Sequence, residues 1–547
     1  MISTGHTPLT RRNHLESLLL FFSSLILFTW GLHSKEVIGF DSRFYLFAQE
    51  MWRYGVSWFP LTYHQPYPDY PASSTFIIYL FACLFGGVTK FSAVLPSAIL
   101  AALMVTLTYL IGSLHSKRWG WCGAMLLLLT SAFIKSARSI SLDLYPAVMT
   151  AGCFYLLYSA DKENIPQRSK WVYLLFFAGF VFRGPIGMVM PVGVMCSYYL
   201  INRNYKKLFL HGFAAFLLLC LCTISLLALA YHVGGNAFMQ DVLRMEILGR
   251  MDNHYLPRYF YFTNSMASYA LAYPLACLVL GGAAYYAYFT RDFSPEKKFL
   301  LQLFGWMMVI MLGMSIPDDK KVRYILPMLP AIALIAAYPF VAPLSQKYFT
   351  FLRTVFRRIL FVFPLILMLG MLVLYIYLSR HTHNLSIHFI SIILFFAVMQ
   401  CINVLLTFNN KMLSTRENGF LGVAALSFIV TNIIIVEPIL LYLDRARELV
   451  MLVETQRIHD HARLVFYKEK PDGLPIKYLI NMTAHDEPVF IHNENELANF
   501  SAPAYFITSE SYFDELSPSL ADKFHIVEKD KLGHTDVIVF TFKGNDD

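Results

Sequence analysis

Residues 39–52 read GFDSRFYLFAQEMW, and they follow an apolar run at 15–33 that predicts a membrane-spanning helix. An acidic residue, Asp41, therefore comes just after the first predicted membrane crossing. The whole chain of 547 residues is 57% hydrophobic and 16% aromatic, with a mean hydropathy of +0.51. This composition is far too apolar for a soluble protein of that size, so the sequence predicts an α-helical polytopic membrane protein.

About thirteen apolar stretches are candidates for transmembrane helices. They lie near 15–33, 93–113, 120–136, 144–160, 171–183, 186–201, 208–232, 266–289, 298–316, 324–344, 358–379, 385–407 and 419–443. A further apolar stretch at 74–87 is short for a span, and we predict an interfacial or re-entrant helix there.

The distribution of charge predicts which side of the membrane each loop occupies. Lys and Arg group in alternate loops, so the positive-inside rule places the N-terminus in the cytoplasm and residues 445–547 outside. These last residues contain short strand-like segments separated by helical or turn-rich pieces. We therefore predict a transmembrane domain at 1–444 and a small C-terminal α/β extracytoplasmic domain at 445–547.

Several classes of function are not indicated by the sequence. The net charge is +8, but the cations occur in short groups between apolar runs, which does not indicate a nucleic-acid-binding surface. The eight Cys residues lie in or beside apolar segments, which predicts neither a disulfide framework nor a zinc site. We find no Walker A sequence, GxGxxG sequence or metal-ligand spacing, so a soluble nucleotide and a metal are not indicated.

The predicted topology places unusual polar residues on the external face. Asp41 opens the first external loop, Asp143 lies between two spans, and the segment SIPDDKKVRYILPMLP at 315–330 is densely charged. Charges at a membrane end are costly unless they are paired, hydrated or used. Such cations are candidates to hold a phosphate or pyrophosphate group, with a nearby carboxylate as general base. The alternative interpretation is structural, because solvated helix caps and charged turns have similar sequences.

Four motifs carry a resemblance to a known superfamily: DSRFY at 41–45, SLDLYP at 141–146, RGPIGMVMP at 183–191 and the segment at 315–330. In these motifs the chain resembles the GT-C membrane glycosyltransferases, most closely the branch that contains the lipid A aminoarabinose transferases and the protein O-mannosyltransferases. The chain departs from that pattern at Ser42, where the family has a second acidic residue. It also has PDYPAS at 68–73, where the aminoarabinose transferases have Glu-Lys-Pro-Pro.

The resemblance implies an inverting transfer of a sugar from a polyprenyl-phosphate donor to a cell-envelope acceptor, most simply a lipid A-like lipid. It implies no cofactor, and it places the enzyme in a bacterial inner membrane with its active site and C-terminal domain in the periplasm. The implied catalytic residues are Asp41 and Asp143. The implied donor-phosphate ligands are Arg250, Arg258, Lys320, Lys321, Arg323 and Tyr324. The implied substrate-positioning residues are Arg43, Asp69, Tyr70, Arg183, Glu246 and His254.

Two alternatives stay open at this point. A protein O-glycosyltransferase would share the fold and differ in its acceptor. A lipid or sugar transporter is expected to show inverted repeats and charged or broken helices in mid-membrane, whereas the charges here concentrate at helix ends on one side. The sequence leaves the sugar, the acceptor and the oligomeric state undecided.

Overall fold

The structure is a computed structural model that describes residues 11–34, 41–69, 71–248, 256–290, 294–381, 389–408, 413–443, 446–482 and 487–543. Its first seventeen described α-helices are α1 Arg11–Thr29, α2 Asp41–Tyr54, α3 Ser73–Phe85, α4 Lys90–Ser113, α5 Lys117–Leu128, α6 Ser131–Ala137, α7 Leu144–Lys162, α8 Val172–Ile201, α9 Tyr205–Leu243, α10 Phe260–Ser268, α11 Ala272–Thr290, α12 Pro295–Ser315, α13 Leu329–Ala336, α14 Lys347–His381, α15 Phe389–Phe408, α16 Leu413–Thr431 and α17 Glu437–Leu443. Short 3₁₀ turns cover Leu32–Ser34, Pro166–Trp171, Val322–Met328 and Tyr338–Phe340, and π-helical turns cover Arg244–Leu248 and Asn432–Val436.

Length and apolar composition identify eight helices in the described residues that could cross a membrane, or up to ten if each of two bent pairs is one span. The bent pairs are α5 with α6, which meet at 77°, and α10 with α11, which meet at 117°. A polytopic helical membrane protein is therefore confirmed, whereas the number of thirteen spans stays a prediction.

Helix α8 is counted as one of the eight helices that could cross a membrane, although it folds back on itself. A Cβ built on Gly179 would lie 2.2 Å from the carbonyl oxygen of Gly187, whereas a straight helix would separate these residues by about 12 Å. Tyr173 and Tyr199, near its two ends, both contact His211, with an O–N distance of 2.6 Å and a ring-centroid distance of 5.6 Å. Helix α8 is therefore a helical hairpin, and its arms coincide with the predicted spans at 171–183 and 186–201.

The RGP sequence explains where this hairpin turns. Arg183 has φ −143° and ψ 17°, and Gly184 has φ 63° and ψ −154°, a region of backbone space that is essentially restricted to glycine. Pro185 then begins the second arm, where its fixed φ suits the first turn of a helix. The turn leaves Arg183 at the tip of the hairpin.

Helix α9 contains the same backbone turn. Its 39 residues would extend about 58 Å if straight, nearly twice the hydrocarbon thickness of a bilayer. Gly234 (φ −141°, ψ 19°) and Gly235 (φ 69°, ψ −162°) interrupt it with dihedral angles close to those of the α8 turn. The chain therefore changes direction before it reaches the π-helical turn that contains Glu246.

Helix α3 has the length predicted for an interfacial or re-entrant helix. Its 13 residues extend about 20 Å, which is too short to cross a hydrocarbon core of about 30 Å. Phe76, Leu80 and Leu84 are exposed and recur every four residues, whereas Ile78 and Ala82 are buried. One face of α3 is thus apolar and uncovered by protein, as the lipid interface requires.

The chain divides into two compact units. The first unit comprises 1–30, 68–74 and 94–434, and it contains most of the membrane helices. The second unit comprises 31–67, 75–93 and 435–547. It contains α2, most of α3, the hairpin of strands β1 Leu61–Thr62 and β2 Gln65–Pro66, and the C-terminal region.

The C-terminal region is a small α/β domain, as predicted. Its helices are α18 Arg447–His459, α19 Leu474–Leu479, α20 Glu494–Ala498, α21 Glu510–Asp514 and α22 Pro518–Ala521. Its strands are β3 Arg463–Tyr467, β4 Val489–Ile491, β5 Ala504–Ser509, β6 Phe524–Leu532 and β7 Thr535–Phe542, in the sheet order β4-β3-β5-β7-β6. Strand β3 is parallel to β4 and β5, whereas β7 is antiparallel to β5 and β6. Because side chains alternate along a strand, β3 buries Leu464 and Phe466 in one apolar cluster and Val465 and Tyr467 in the other.

Candidate functional site

Asp143 is the centre of a buried charge cluster in the first unit. It immediately precedes α7 but makes no side-chain cap to that helix, and it is only 4% exposed. Arg183 Nε donates to Asp143 Oδ1 at 3.1 Å, and Arg323 Nε lies 3.0 Å from Asp143 Oδ2. Both carboxylate oxygens therefore face an arginine, and three predicted site residues from distant parts of the sequence meet.

Tyr324 joins this ion-pair group to the neighbouring lysine. The guanidinium carbons of Arg183 and Arg323 lie 5.9 and 5.5 Å from the centre of its ring, and Lys321 Nζ lies 5.8 Å away. The Tyr324 hydroxyl donates to Asp319 Oδ2 at 3.2 Å, and Lys321 Nζ lies 3.4 Å from the same oxygen. Three cations thus surround one aromatic ring, a geometry that is favourable for each of them.

Two tyrosines from the α10–α11 region hold the backbone of this segment. Tyr261 donates to the carbonyl of Lys321 at 3.3 Å, and Tyr269 donates to the carbonyl of Val322 at 2.9 Å. Lys320 is anchored differently, because its Nζ donates to the carbonyl of Leu256 at 3.1 Å and its side chain is fully buried. Hydrogen bonds to the carbonyls of Lys321 and Val322, together with the Lys320 side chain, therefore hold this segment in place. The Lys321 side chain lies at the surface of the cluster and is 42% exposed.

The ion pairs described for this cluster join four cations to three carboxylates. The cations are Arg183, Lys320, Lys321 and Arg323, and the carboxylates are Asp143, Asp318 and Asp319. Cations grouped in this way can hold an anion such as a phosphate, particularly where protein and lipid lower the local dielectric constant.

Arg258 lies beside this cluster, at a groove of about 460 Å³. The groove is lined by Arg258, Tyr259, Phe262, Leu312, Ser315 and Ile316, which come from the start of α10 and the end of α12. Its walls are mainly apolar, and Arg258 is the one charged residue among the described residues that line it. This combination suits a molecule with a charged head and a hydrocarbon tail.

Two predicted positioning residues of the first unit are buried carboxylates. Asp69 is 7% exposed and Glu246 is 5% exposed. A buried carboxylate needs partners to stay charged. Their burial is consistent with a defined position in the fold.

Arg43 belongs to the second unit, where it lies in the first turn of α2. Its Nη1 donates to the Tyr67 hydroxyl at 2.8 Å, and that hydroxyl donates to Asp472 Oδ2 at 3.2 Å. Further along α2, Glu50 is 7% exposed and accepts from the backbone N–H of His64 at 3.4 Å. Burial raises the pKa of Glu50 above its ordinary value of 4.5, against the opposing effects of the His64 hydrogen bond and charge.

Four of the predicted site side chains lie outside the described residues. Asp41 begins α2, but its side chain lies outside the described residues. Tyr70, Arg250 and His254 also lie outside them. Their predicted roles therefore stay predictions.

Sequence reasoning missed one arginine in the first unit and two residues in the second. Arg138 is 1% exposed, and its Nη1 donates to the carbonyls of Phe28 and Leu27 at 2.8 and 3.2 Å, in the last turn of α1. Its position two residues after the predicted span at 120–136 is a signal that was available, because a charge at a membrane end must find partners. Tyr67 and Asp472 carried no comparable signal, since both stand in ordinary polar surroundings in the sequence.

Comparison with known proteins agrees with this architecture. A family model described as dolichyl-phosphate-mannose-protein mannosyltransferase matches residues 69–231. A protein of Aquifex aeolicus (strain VF5), described as uncharacterized, is 27% identical over 312 residues, which are 56% of this chain and only 65% of that protein. Crystal structures of ArnT from Cupriavidus metallidurans, bound to undecaprenyl phosphate and in the apo state, match with TM-scores of 0.69 and 0.68 at 15% identity. They cover 97% and 96% of this chain, and 98% of ArnT in each case. The chain therefore has the GT-C fold and resembles ArnT and the protein O-mannosyltransferases, as its motifs predict.

Proposed function

We propose that this protein is an inverting glycosyltransferase that moves a sugar from a polyprenyl-phosphate donor to a lipid A-like acceptor. The observation that carries the proposal is the buried cluster in which Asp143, Arg183, Arg323 and Tyr324 meet, on a GT-C fold. The match to a structure of ArnT bound to undecaprenyl phosphate supports a donor of that class.

The two arginines of the cluster have different tasks in this proposal. The Arg183 side chain is 7% exposed, whereas the Arg323 side chain is 31% exposed. A cation that contacts a departing phosphate must be reachable, so Arg323 and the exposed Lys321 stabilise the leaving group. Arg183 holds Asp143, and Asp143 in turn orients Arg323.

Asp41 is the general base of the proposed reaction. It takes the proton of the acceptor hydroxyl or amine as that group forms a bond to the anomeric carbon of the sugar. The bond between the anomeric carbon and the phosphate oxygen breaks, and the polyprenyl phosphate leaves with the electron pair. Asp143 has a positioning role in this proposal, because an arginine nitrogen lies within 3.1 Å of each of its oxygens.

The groove at Arg258 is a candidate site for the first part of the donor lipid. Its volume of about 460 Å³ is within the usual range for small-molecule sites. Tyr261, on the same helix as the groove residue Phe262, donates to the carbonyl of Lys321. The groove and the cation cluster are therefore connected through α10. The proposal assigns no cofactor and no metal, because fixed cations can supply the charge stabilisation that a metal ion supplies elsewhere.

The proposed location is a bacterial inner membrane, with the site and the C-terminal domain on the periplasmic face. The distribution of Lys and Arg among the loops supports this orientation, and the likeness to ArnT of Cupriavidus metallidurans supports the bacterial inner membrane. The leading alternative is transfer to a protein acceptor, which the match to the protein mannosyltransferase family model supports. A transporter is the remaining alternative.

Mass spectrometry of lipid A and total membrane lipids tests the proposal directly. Cells would express the wild-type chain, Asp41→Asn, or the control Asp522→Asn, which changes an exposed carboxylate of the C-terminal domain. We expect a pentose- or hexose-sized mass increment on an envelope lipid with the wild type and the control, and none with Asp41→Asn. Identical lipid profiles in all three would exclude the lipid acceptor, and glycopeptide analysis of the same cells would then test the protein acceptor.

A further inference from the structure

One hydroxyl group connects the helix that begins at Asp41 to the C-terminal domain. The Tyr67 hydroxyl accepts a hydrogen bond from Arg43 at 2.8 Å and donates one to Asp472 at 3.2 Å. Tyr67 is 8% exposed, and Asp472, which accepts its hydrogen bond, is an exposed residue at the surface of the C-terminal domain. Helix α2 also packs against α19, which begins two residues after Asp472.

The β1–β2 hairpin attaches to the same part of the C-terminal domain. Its two turn residues, Tyr63 and His64, have φ of 52° and 61°, a conformation that hairpins normally assign to Asn and Gly. Tyr63 donates to the carbonyl of Pro471 at 2.8 Å and packs its ring 5.2 Å from Phe490. The unfavourable turn is therefore held by contacts with the domain.

We infer that Asp472 is a positioning residue for sugar transfer, which acts through Tyr67 on Arg43 and so fixes the first turn of α2, where Asp41 lies. The inference rests on the proposed function for its effect on turnover. The geometry of the three residues does not depend on that function.

The first turn of a helix is the part that most needs such support. Its N–H groups lack partners within the helix, and helix ends fray. A base that is displaced by about 1 Å loses on the order of 100-fold in rate. An external contact that fixes the first turn of α2 therefore belongs to the catalytic apparatus, even though Asp472 itself touches no substrate.

The experiment compares turnover in Asp472→Ala, Tyr67→Phe and the double variant, with Asp522→Ala as a matched control on the same domain. We expect kcat to fall about 10- to 100-fold in both single variants, with KM for the polyprenyl-phosphate sugar unchanged within about 2-fold. The double variant should be no slower than the slower single variant, because both substitutions break one connection. Asp472→Asn retains an acceptor for the Tyr67 hydroxyl and should keep most of the activity.

Hydrogen–deuterium exchange of the amides in 41–54 gives a readout that does not depend on catalysis. Exchange should be faster in Asp472→Ala and Tyr67→Phe than in the wild type and in Asp522→Ala. Wild-type exchange in both variants, or losses of kcat that multiply in the double variant, would overturn the inference. If the wild type transfers no sugar while exchange responds as expected, the proposed function fails and the structural connection stands.

Discussion

Gly187→Ala tests the helical hairpin and its effect on the charge cluster together. A methyl group at this position would lie 2.0 Å from the carbonyl oxygen of Gly179 and 2.9 Å from Arg183 Cβ. A Cβ essentially never approaches another atom within 3.0 Å, so the arms of α8 must separate by about 1 Å or more. Arg183 Nε lies 3.1 Å from Asp143 Oδ1, and a displacement of that size breaks the hydrogen bond.

The expected cost of this overpacking is about 1–3 kcal/mol of stability. We expect a lower thermal unfolding midpoint in detergent and a lower rate of sugar transfer. The matched control is Gly370→Ala, where a Cβ would meet no atom within 4 Å and where alanine favours the helix by about 1 kcal/mol. Equal midpoints and equal rates for the two variants would show that the arms of α8 are not in backbone contact, and the argument that the RGP turn positions Arg183 would fail.

Three further predictions follow from single residues. Arg323→Ala should lower kcat by about 100- to 1,000-fold, because it removes a solvent-accessible cation from the leaving phosphate. The control Arg358→Ala, at an exposed arginine, should transfer sugar at the wild-type rate. Equal rates for the two variants would show that Arg323 does not contact the leaving phosphate. Arg138→Met should destabilise the protein by about 1–3 kcal/mol, since buried carbonyls at the end of α1 lose their donor, whereas the exposed Lys135→Met should not. Glu50→Gln should raise the unfolding midpoint at pH 7 and have less effect near pH 4. The folded-state pKa of Glu50 lies above 4.5, so its charged form costs stability as the pH rises through that pKa; a lower midpoint at pH 7 would contradict this sign.

Much of the architecture was predictable because the bilayer imposes simple rules on sequence. Apolar length and composition predicted the helical membrane region, the short helix at 74–87 and a C-terminal α/β region, whereas the domain boundary at 444/445 stays a prediction. Four of the five strands of that domain were also predicted, because the strand-like segments of 445–547 are DEPVFIHNE, AYFITSE, FHIVEKD and DVIVFTF, which contain β4 and β5 and overlap β6 and β7. Strand β3 was missed, since it is buried on both faces and its sequence RLVFY does not alternate.

The contacts within the site were only partly predictable. The motifs SLDLYP, RGPIG and DDKKVRY were predicted to carry site residues, and the structure brings one residue of each together, but nothing in their spacing indicates that Asp143 receives both Arg183 and Arg323. That pairing depends on the turn at Gly184, and the sequence shows an RGP triplet without showing which way the second arm runs. The link from Arg43 to Asp472 spans more than 400 residues, and only the folded chain brings them together.

The two glycine turns explain how a membrane protein can hold charges at helix ends without long ordered loops. Gly184 and Gly235 both have positive φ, with ψ of −154° and −162°. Arg183 directly precedes the first of these glycines, and Glu246 follows the second by eleven residues. At the α8 turn, backbone geometry and close packing fix the direction of the Arg183 side chain. A side chain held in this way needs little reorganisation when charge develops during a reaction. The same close packing leaves no room for an added methyl group at Gly187. The fixed position of Arg183 in the charge cluster and the low tolerance of the α8 hairpin to substitution therefore have one physical cause, the contact between the two arms.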